Sequence, residues 1–256
     1  MTNQIISNDD VLVTGGGRGI GKAIVKQLAA TGYNVTFTFS KSESDAEKLT
    51  DELKQKYPEQ TFSARKTNLA SRQEVDQLAS ELSEGDAFYG FIHNAGLSYD
   101  ALAALMEQDR AEDLMQVNFW AMSRLAGAIL RPMMSARRGR IVGIGSITFK
   151  HGVTGNAAYA ASKGAMMSYI KTLAIEAARR GICANYIAPG FVDTDLLAPY
   201  QNYREKMELQ IPLRRFAKPE EIAGLVDFLL SPPAGYITGS VIPMDGGLDA
   251  ALPIQR

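Results

Sequence analysis

The sequence predicts an α/β fold, a doubly wound sheet of about seven parallel strands with helices on both faces, and three observations predict it. Short apolar runs recur along the whole chain, from VLVT at 11–14 to SVIPMDGG at 240–247. The spans between them carry apolar residues at helical spacing. Several runs end in small-residue or glycine-rich turns, and ligands bind beyond the carboxyl ends of such strands. Strand and helix in alternation, joined by right-handed crossovers, build a parallel sheet covered on both sides.

The first run, VLVT at 11–14, leads directly into GGGRGIG at 15–21, after which Ile20, Ala23, Ile24 and Leu28 repeat at helical spacing. Strand, glycine loop and helix form a setting in which backbone N–H groups and a helix N-terminus hold a pyrophosphate. The loop reads T-G-x-x-x-G-x-G, with Thr14, Gly15, Gly19 and Gly21 in the defining places. A P-loop is excluded because no G-K-[ST] follows. The second strand, NVTFTF at 34–39, ends in Ser40 and Lys41. An Asp or Glu at that place would accept from a free ribose hydroxyl. Ser40, Lys41 and Arg18 instead suit a 2'-phosphate, which favours NADP over NAD, with Glu43 the nearby carboxylate.

A charged helix over 42–57, a strand at 61–66, a helix over 71–82 and a strand at 87–93 follow, the last opening into HNAG at 93–96. His93 is expected to pack or hydrogen-bond at this turn. One long helix is predicted over 109–136, with Leu114, Val117, Ala121 and Leu125 as its packed stripe. Asn118 is polar within it and suited to orienting a water or a backbone group. RIVGIG at 140–145 is the fifth strand and Ser146 follows it.

A helix over 157–180 carries Tyr159 and Lys163 four residues apart, on one side of a helical turn. An ammonium beside a phenol favours the phenolate and lowers its pKa from about 10. An acid so tuned can protonate an oxygen that is becoming an alkoxide, and Ser146 can hold the same oxygen. The sixth strand, 182–188, ends in the PGFVDTDL loop, and 195–216 reads as a mobile amphipathic flap over the site. A final helix over 219–231 starts on a proline suited to a first turn. Pro243 marks the last strand as an edge.

Composition narrows the partners. The chain of 256 residues has 46% hydrophobic residues and a net charge of -1, giving no general reason to expect nucleic acid binding. One cysteine, Cys183, and two histidines, His93 and His151, argue against a disulfide framework or a zinc site. No apolar stretch reaches membrane-spanning length, and MTNQIISNDD at 1–10 lacks the features of a signal peptide. A cytoplasmic protein, with one domain whose core runs from about 10 to 250, is expected.

The chain resembles the short-chain dehydrogenase/reductase family, with its Rossmann-like fold. TGGGRGIG at 14–21, NAG at 94–96, Asn118, Ser146, YAASK at 159–163 and PG at 189–190 occur in the family's order. The resemblance implies that Tyr159 donates a proton to the substrate oxygen and Ser146 holds that oxygen. It implies that Lys163 lowers the tyrosine pKa and bonds the nicotinamide ribose. Asn118 is similar to the family asparagine that holds a water in the proton relay behind Lys163. Thr14, Gly15, Arg18, Gly19, Ile20, Asn94, Ala95, Gly96, Pro189, Gly190, Val192 and Thr194 would line NADP(H), with Asn68 and Leu69 near the adenine.

Within the family the chain is most similar to 3-oxoacyl-[acyl-carrier-protein] reductases, on RRGRIVGIGSI at 137–147, ARRGICANYIAPGFVDTDL at 178–196 and YITGSVIPMDGG at 236–247. This implies NADPH-dependent ketone reduction in fatty acid, polyketide or aryl-polyene synthesis, and a homotetramer. It also implies an acyl carrier protein docked on Arg137 and Arg180 at the mouth of the active site. HNAG, Trp120, FKHG at 149–152, Met166 and Tyr186 depart from the common pattern. Reduction of a free ketone or a coenzyme A thioester, or a non-catalytic NADP-binding scaffold, stays open on the sequence.

Overall fold

Side chains of a strand alternate between faces, and in the computed structural model, which describes residues 9–251, that alternation divides the core in two. Val11 and Val13 of β1 (Asp10–Thr14) face one layer and Leu12 the other. Ile92 and Phe91 of β4 (Gly90–His93) divide the same way, as do Val142 and Ile141 of β5 (Gly139–Ile144). Adding β2 (Asn34–Phe39), β3 (Phe62–Lys66), β6 (Ile182–Pro189) and β7 (Val241–Met244) gives a seven-stranded sheet in the order β3-β2-β1-β4-β5-β6-β7. All of its pairings are parallel.

One layer is built from α1 (Gly19–Ala30), α2 (Glu43–Lys56) and α8 (Pro219–Leu230); the other from α3 (Arg72–Glu84), α5 (Ala121–Ala136) and α6 (Ala157–Ala177). Burial of both sheet faces explains strands that are nearly continuous in apolar residues. Asp227 of α8 ties its layer together, accepting from Gln27 Nε2 at 3.1 Å and Thr31 Oγ1 at 2.9 Å. Pro219 stands in the first turn of α8, and β7, with Pro243, is an edge strand, as the sequence predicts.

The long helix predicted over 109–136 is divided. α4 (Gln108–Met115) passes into a π-helical turn, Gln116–Trp120, before α5 begins. Such turns are rare and concentrate at functional sites; this one contains Asn118. The helix predicted to Arg180 ends in α-form at Ala177 and closes in a 3-10 turn, Ala178–Arg180. The flap is a 3-10 segment, Asp195–Tyr203, followed by α7 (Arg204–Gln210). Arg204 anchors it, pairing both Nη atoms with Asp193 at 2.9 and 3.0 Å and Nε with Glu208 at 2.9 Å.

Among the described residues no helix is long and apolar enough to cross a membrane. Most of the stretch read against a signal peptide, residues 1–8, lies outside the described residues. The reversal of strand order between β1 and β4 is the switch point of the sheet, and it opens a crevice at the carboxyl ends. Phe37 on β2 is fully buried in the layer that supports this crevice. Phe37→Ala is expected to lower unfolding free energy by about 3–5 kcal/mol, measured by denaturant titration.

Candidate active site

Thr14, the last residue of β1, organises the glycine side of the crevice. Its buried hydroxyl accepts from the backbone N–H groups of Asn94 and Ala95, both at 3.1 Å, and lies 3.1 Å from His93 Nδ1. The Asn94 amide donates to the Thr14 and Gly15 carbonyls at 3.2 and 3.0 Å. Asn94, expected to line a cofactor, thus directs its donors at the loop and braces it. The loop needs its small residues: a Cβ on Gly21 would lie 2.0 Å from the Gly15 carbonyl oxygen. Gly19 adopts φ +52, where a side chain is strained.

The N-terminus of α1 emerges from this loop with no side-chain cap and no acidic residue in its first turn. Its first N–H groups lack intrahelical acceptors and suit an anion. Thr194, at the end of the loop after β6, approaches from above; a Cβ on Gly19 would stand 3.5 Å from its methyl group. Pro189, Gly190 and Val192 carry the chain to that point, fixed by Gly190 donating to the Met244 carbonyl at 3.0 Å and by Val192 bridging to Ala217. Ile20 is half-buried behind the loop.

Ser40 and Lys41 follow the end of β2 directly, where Gly16 N–H donates to the Thr38 carbonyl at 2.9 Å. Lys41 and Arg18 are exposed, and the nearby Glu43 carboxylate is engaged by Lys66 at 2.9 Å. The strand end therefore offers cationic groups while its neighbouring carboxylate is occupied. Asn68 and Leu69 follow β3, with Asn68 exposed and its N–H donating to Glu74 at 2.7 Å. These features fit a dinucleotide carrying a 2'-phosphate.

Across the switch point, Lys163 is almost wholly buried and donates from Nζ to the Ile144 carbonyl at 3.0 Å. A Cβ on Gly96 would lie 3.5 Å from Lys163 Nζ and 3.4 Å from Asn118 Oδ1, so Gly96 keeps this space open. Asn118 is fully buried; its Oδ1 accepts from Leu97 N–H at 2.8 Å, and its Nδ2 donates to the Leu97 carbonyl at 3.0 Å and to Ser162 Oγ at 2.9 Å. Of the two tasks expected of it, the structure displays the backbone one. Ser162 donates in turn to the Tyr159 carbonyl at 2.7 Å, linking the π turn to the start of α6.

Tyr159 stands in the first turn of α6, with Lys163 Nζ 5.5 Å from its ring centroid. Burial pushes its phenol up to about 12, partly offset by the Ser146 hydroxyl and reinforced by the Asp100 carboxylate. Burial pushes the Lys163 amine down to about 8. Desolvation is the largest influence on the phenol in this structure. His93 is held down to about 3 by burial and then by Lys163, which keeps it neutral. It packs at the turn, its Nδ1 3.1 Å from the Thr14 hydroxyl.

Arg137 and Arg180 do come together. Arg137 caps α5 in a left-handed conformation, and a Cβ on Gly181 would lie 2.6 Å from its carbonyl oxygen. They precede β5 and β6, however, whereas Ser146 and the PG turn follow those strands. The six residues of β5 place the pair about 20 Å from the site of its own chain. The expectation that they flank the catalytic stretch is therefore corrected. Sequence reasoning also missed Ser162, Thr148 and Asp100. Ser162 was marked by its helical spacing to Tyr159; the other two carried no local signal.

A parallel sheet of this order, with an open glycine-loop helix on one side of its switch point and Ser146, Tyr159 and Lys163 on the other, defines the dinucleotide-dependent oxidoreductase class. A family profile described as enoyl-(acyl carrier protein) reductase matches residues 15–249. The chain is 38% identical over 239 residues to 3-oxoacyl-[acyl-carrier-protein] reductase FabG of Escherichia coli (strain K12), covering 93% of this chain and 96% of that one. A short-chain dehydrogenase/reductase from Serratia marcescens is 31% identical with a TM-score of 0.87, covering 95% of this chain and 98% of that one. A putative NAD(P) dependent gluconate 5-dehydrogenase from Beutenbergia cavernae, solved with bound NADP at low occupancy, is 30% identical with a TM-score of 0.91, covering 98% and 100%. The chain belongs to the short-chain dehydrogenase/reductase family.

The buried amine gives a stability prediction. With its folded pKa about 8 against 10.5 ordinarily, Lys163 disfavours the folded state most below pH 8, and the cost fades as pH rises from 8 toward 10.5. Lys163→Met is expected to raise Tm by roughly 4–8 °C at pH 7, the relief of the buried charge less one lost hydrogen bond. Calorimetry across pH should show that advantage shrinking toward pH 10.

Proposed function

We propose that this chain is an NADPH-dependent reductase of 3-oxoacyl thioesters carried on acyl carrier protein, yielding the 3-hydroxyacyl thioester. The observation that carries the reading is the convergence of Ser146, Tyr159, Lys163 and Asn118 beside the uncapped α1 N-terminus, in a chain 38% identical to a 3-oxoacyl-[acyl-carrier-protein] reductase. Bound NADPH supplies the hydride. The N–H groups of Gly19 and Ile20 would hold its pyrophosphate, while Arg18, Ser40 and Lys41 would take the 2'-phosphate. Thr14, Gly15 and Asn94 to Gly96 form the floor, Asn68 and Leu69 flank the adenine, and Pro189, Gly190, Val192 and Thr194 form the wall.

Ser146 donates to the ketone oxygen and Tyr159 gives that oxygen its proton as negative charge develops. Lys163, as an ammonium, holds the ribose and draws the phenol pKa down from its buried value. Asn118 fixes Leu97 and the π turn, and a water held beside it near Gly96 would carry a proton toward Lys163. Arg137 and Arg180 attract the acidic carrier. Because they lie at the amino ends of β5 and β6, a carrier held there serves the site of a neighbouring copy in a homotetramer. The same placement favours a second reading, reduction of a free ketone or coenzyme A thioester without carrier docking.

Tyr159→Phe should lower kcat by roughly 10²–10⁴-fold with NADPH affinity retained. In wild type, kcat/KM should fall as pH rises through about 8, where Lys163 loses its proton. Lys41→Ala should cut the NADPH over NADH preference by about tenfold, the loss of one charge-assisted bond. Arg137→Glu with Arg180→Glu should slow a carrier-bound 3-oxoacyl substrate and leave its free thioester analogue unchanged. Equal rates on both substrates in wild type and variant would favour the second reading.

A further inference from the structure

At the end of β5 the sheet runs out of partners one residue before the chemistry begins. Gly145 N–H still donates to the Ile187 carbonyl at 2.8 Å, and the chain then turns into a 3-10 segment, Ile147–Phe149. Ser146 is buried at this departure, so its backbone N–H and C=O need acceptor and donor from elsewhere. Both are met by one side chain, and the carbonyl also accepts from Phe149 N–H at 3.4 Å. The Tyr186 hydroxyl accepts from Ser146 N–H at 3.0 Å and donates to the Ser146 carbonyl at 3.2 Å.

Tyr186 reaches that point from β6, where it pairs in register with Gly143. Its side chain is fully buried and lies directly over Gly145, where a Cβ would fall 1.8 Å from the ring. Phe149 closes the other side edge-on, with ring centroids 5.5 Å apart. Burial holds the phenol above the ordinary tyrosine range, so it remains a neutral hydroxyl that donates and accepts together. On that clamped backbone Thr148 orients the Ser146 hydroxyl, donating to Oγ from its N–H at 3.2 Å and from its own hydroxyl at 3.0 Å. With those acceptor sites filled, what Ser146 has left to offer is its proton.

We propose that Tyr186 is a positioning residue that extends the β5 ladder by one side-chain link, clamping the Ser146 backbone so that its hydroxyl serves as a fixed donor to the substrate oxygen. The inference rests on the reading of Ser146 as the group that holds this oxygen. It also accounts for Gly145, since any side chain there would displace the clamp. A tyrosine in β6 at this register therefore acts on the reaction through Ser146, without touching substrate.

The test uses Tyr186→Phe, which keeps the ring and removes the clamp, alone and combined with Ser146→Ala. The proposal expects at least a tenfold fall in kcat with NADPH affinity unchanged, and no further fall when Tyr186→Phe is added to Ser146→Ala. It also expects at least tenfold faster amide hydrogen exchange at Ser146, with exchange at Ile144 unchanged. Unchanged Ser146 exchange, or the same loss of kcat in both backgrounds, overturns the clamp. A silent Ser146→Ala with faster Ser146 exchange in Tyr186→Phe overturns the reading of Ser146 instead, and the positioning role with it, while leaving the clamp as a structural bond. Should Tyr186→Phe not fold, the pair Gly145→Ala with Tyr186→Val, in which the methyl fills space vacated by the ring, is measured in its place under the same criteria.

Discussion

Lys163 places an amine in a nearly water-free position, where the Ile144 carbonyl at 3.0 Å is its hydrogen-bond acceptor. An ammonium so situated has lost most of its hydration, and its pKa falls to about 8. The surrounding structure is arranged to tolerate it. Gly96 leaves space beside the amine, the Asn118 amide bonds Leu97 and Ser162, and β5 presents the Ile144 carbonyl at its end. Burial raises Tyr159 and lowers Lys163, so it favours the neutral form of both groups.

Parallel sheets leave backbone groups without ladder partners where their strands stop, and this chain assigns three such ends a specific side chain. Thr14 takes the N–H groups after β4, Asn94 takes the carbonyls after β1, and Tyr186 takes both backbone groups after β5. The N-terminus of α1 carries no side-chain cap and follows the glycine loop. Satisfied ends make a rigid floor, and open N–H groups beside a glycine loop suit an anion. Stability and function thus separate by which polar groups are given internal partners.

The paired arginines illustrate how strand direction constrains a functional reading. Arg137 and Arg180 adjoin one another through Gly181, yet both precede their strands while the chemistry follows them. A carrier-docking role for them would join catalysis to assembly, because a surface at one end of a sheet lies far from the chemistry at the other end.

Much of this protein was legible in local sequence. The apolar runs marked the strands, the loop from Thr14 to Gly21 marked a glycine turn into a helix, and the Tyr159-Lys163 spacing marked one helix turn, since periodicity and turn chemistry depend on near neighbours. Other properties arise only when distant segments meet. The π turn at Gln116–Trp120 interrupts a pattern that reads as one continuous helix, because the partners of Asn118 come from Leu97 and Ser162. The direction of Tyr186 is set by the register of β6 against β5, and the balance between Tyr159 and Lys163 by how deeply each is buried. Residue types and spacings determined which chemistry this chain carries; packing across the sheet decided which groups are held, which are left open and which end of the strands they face.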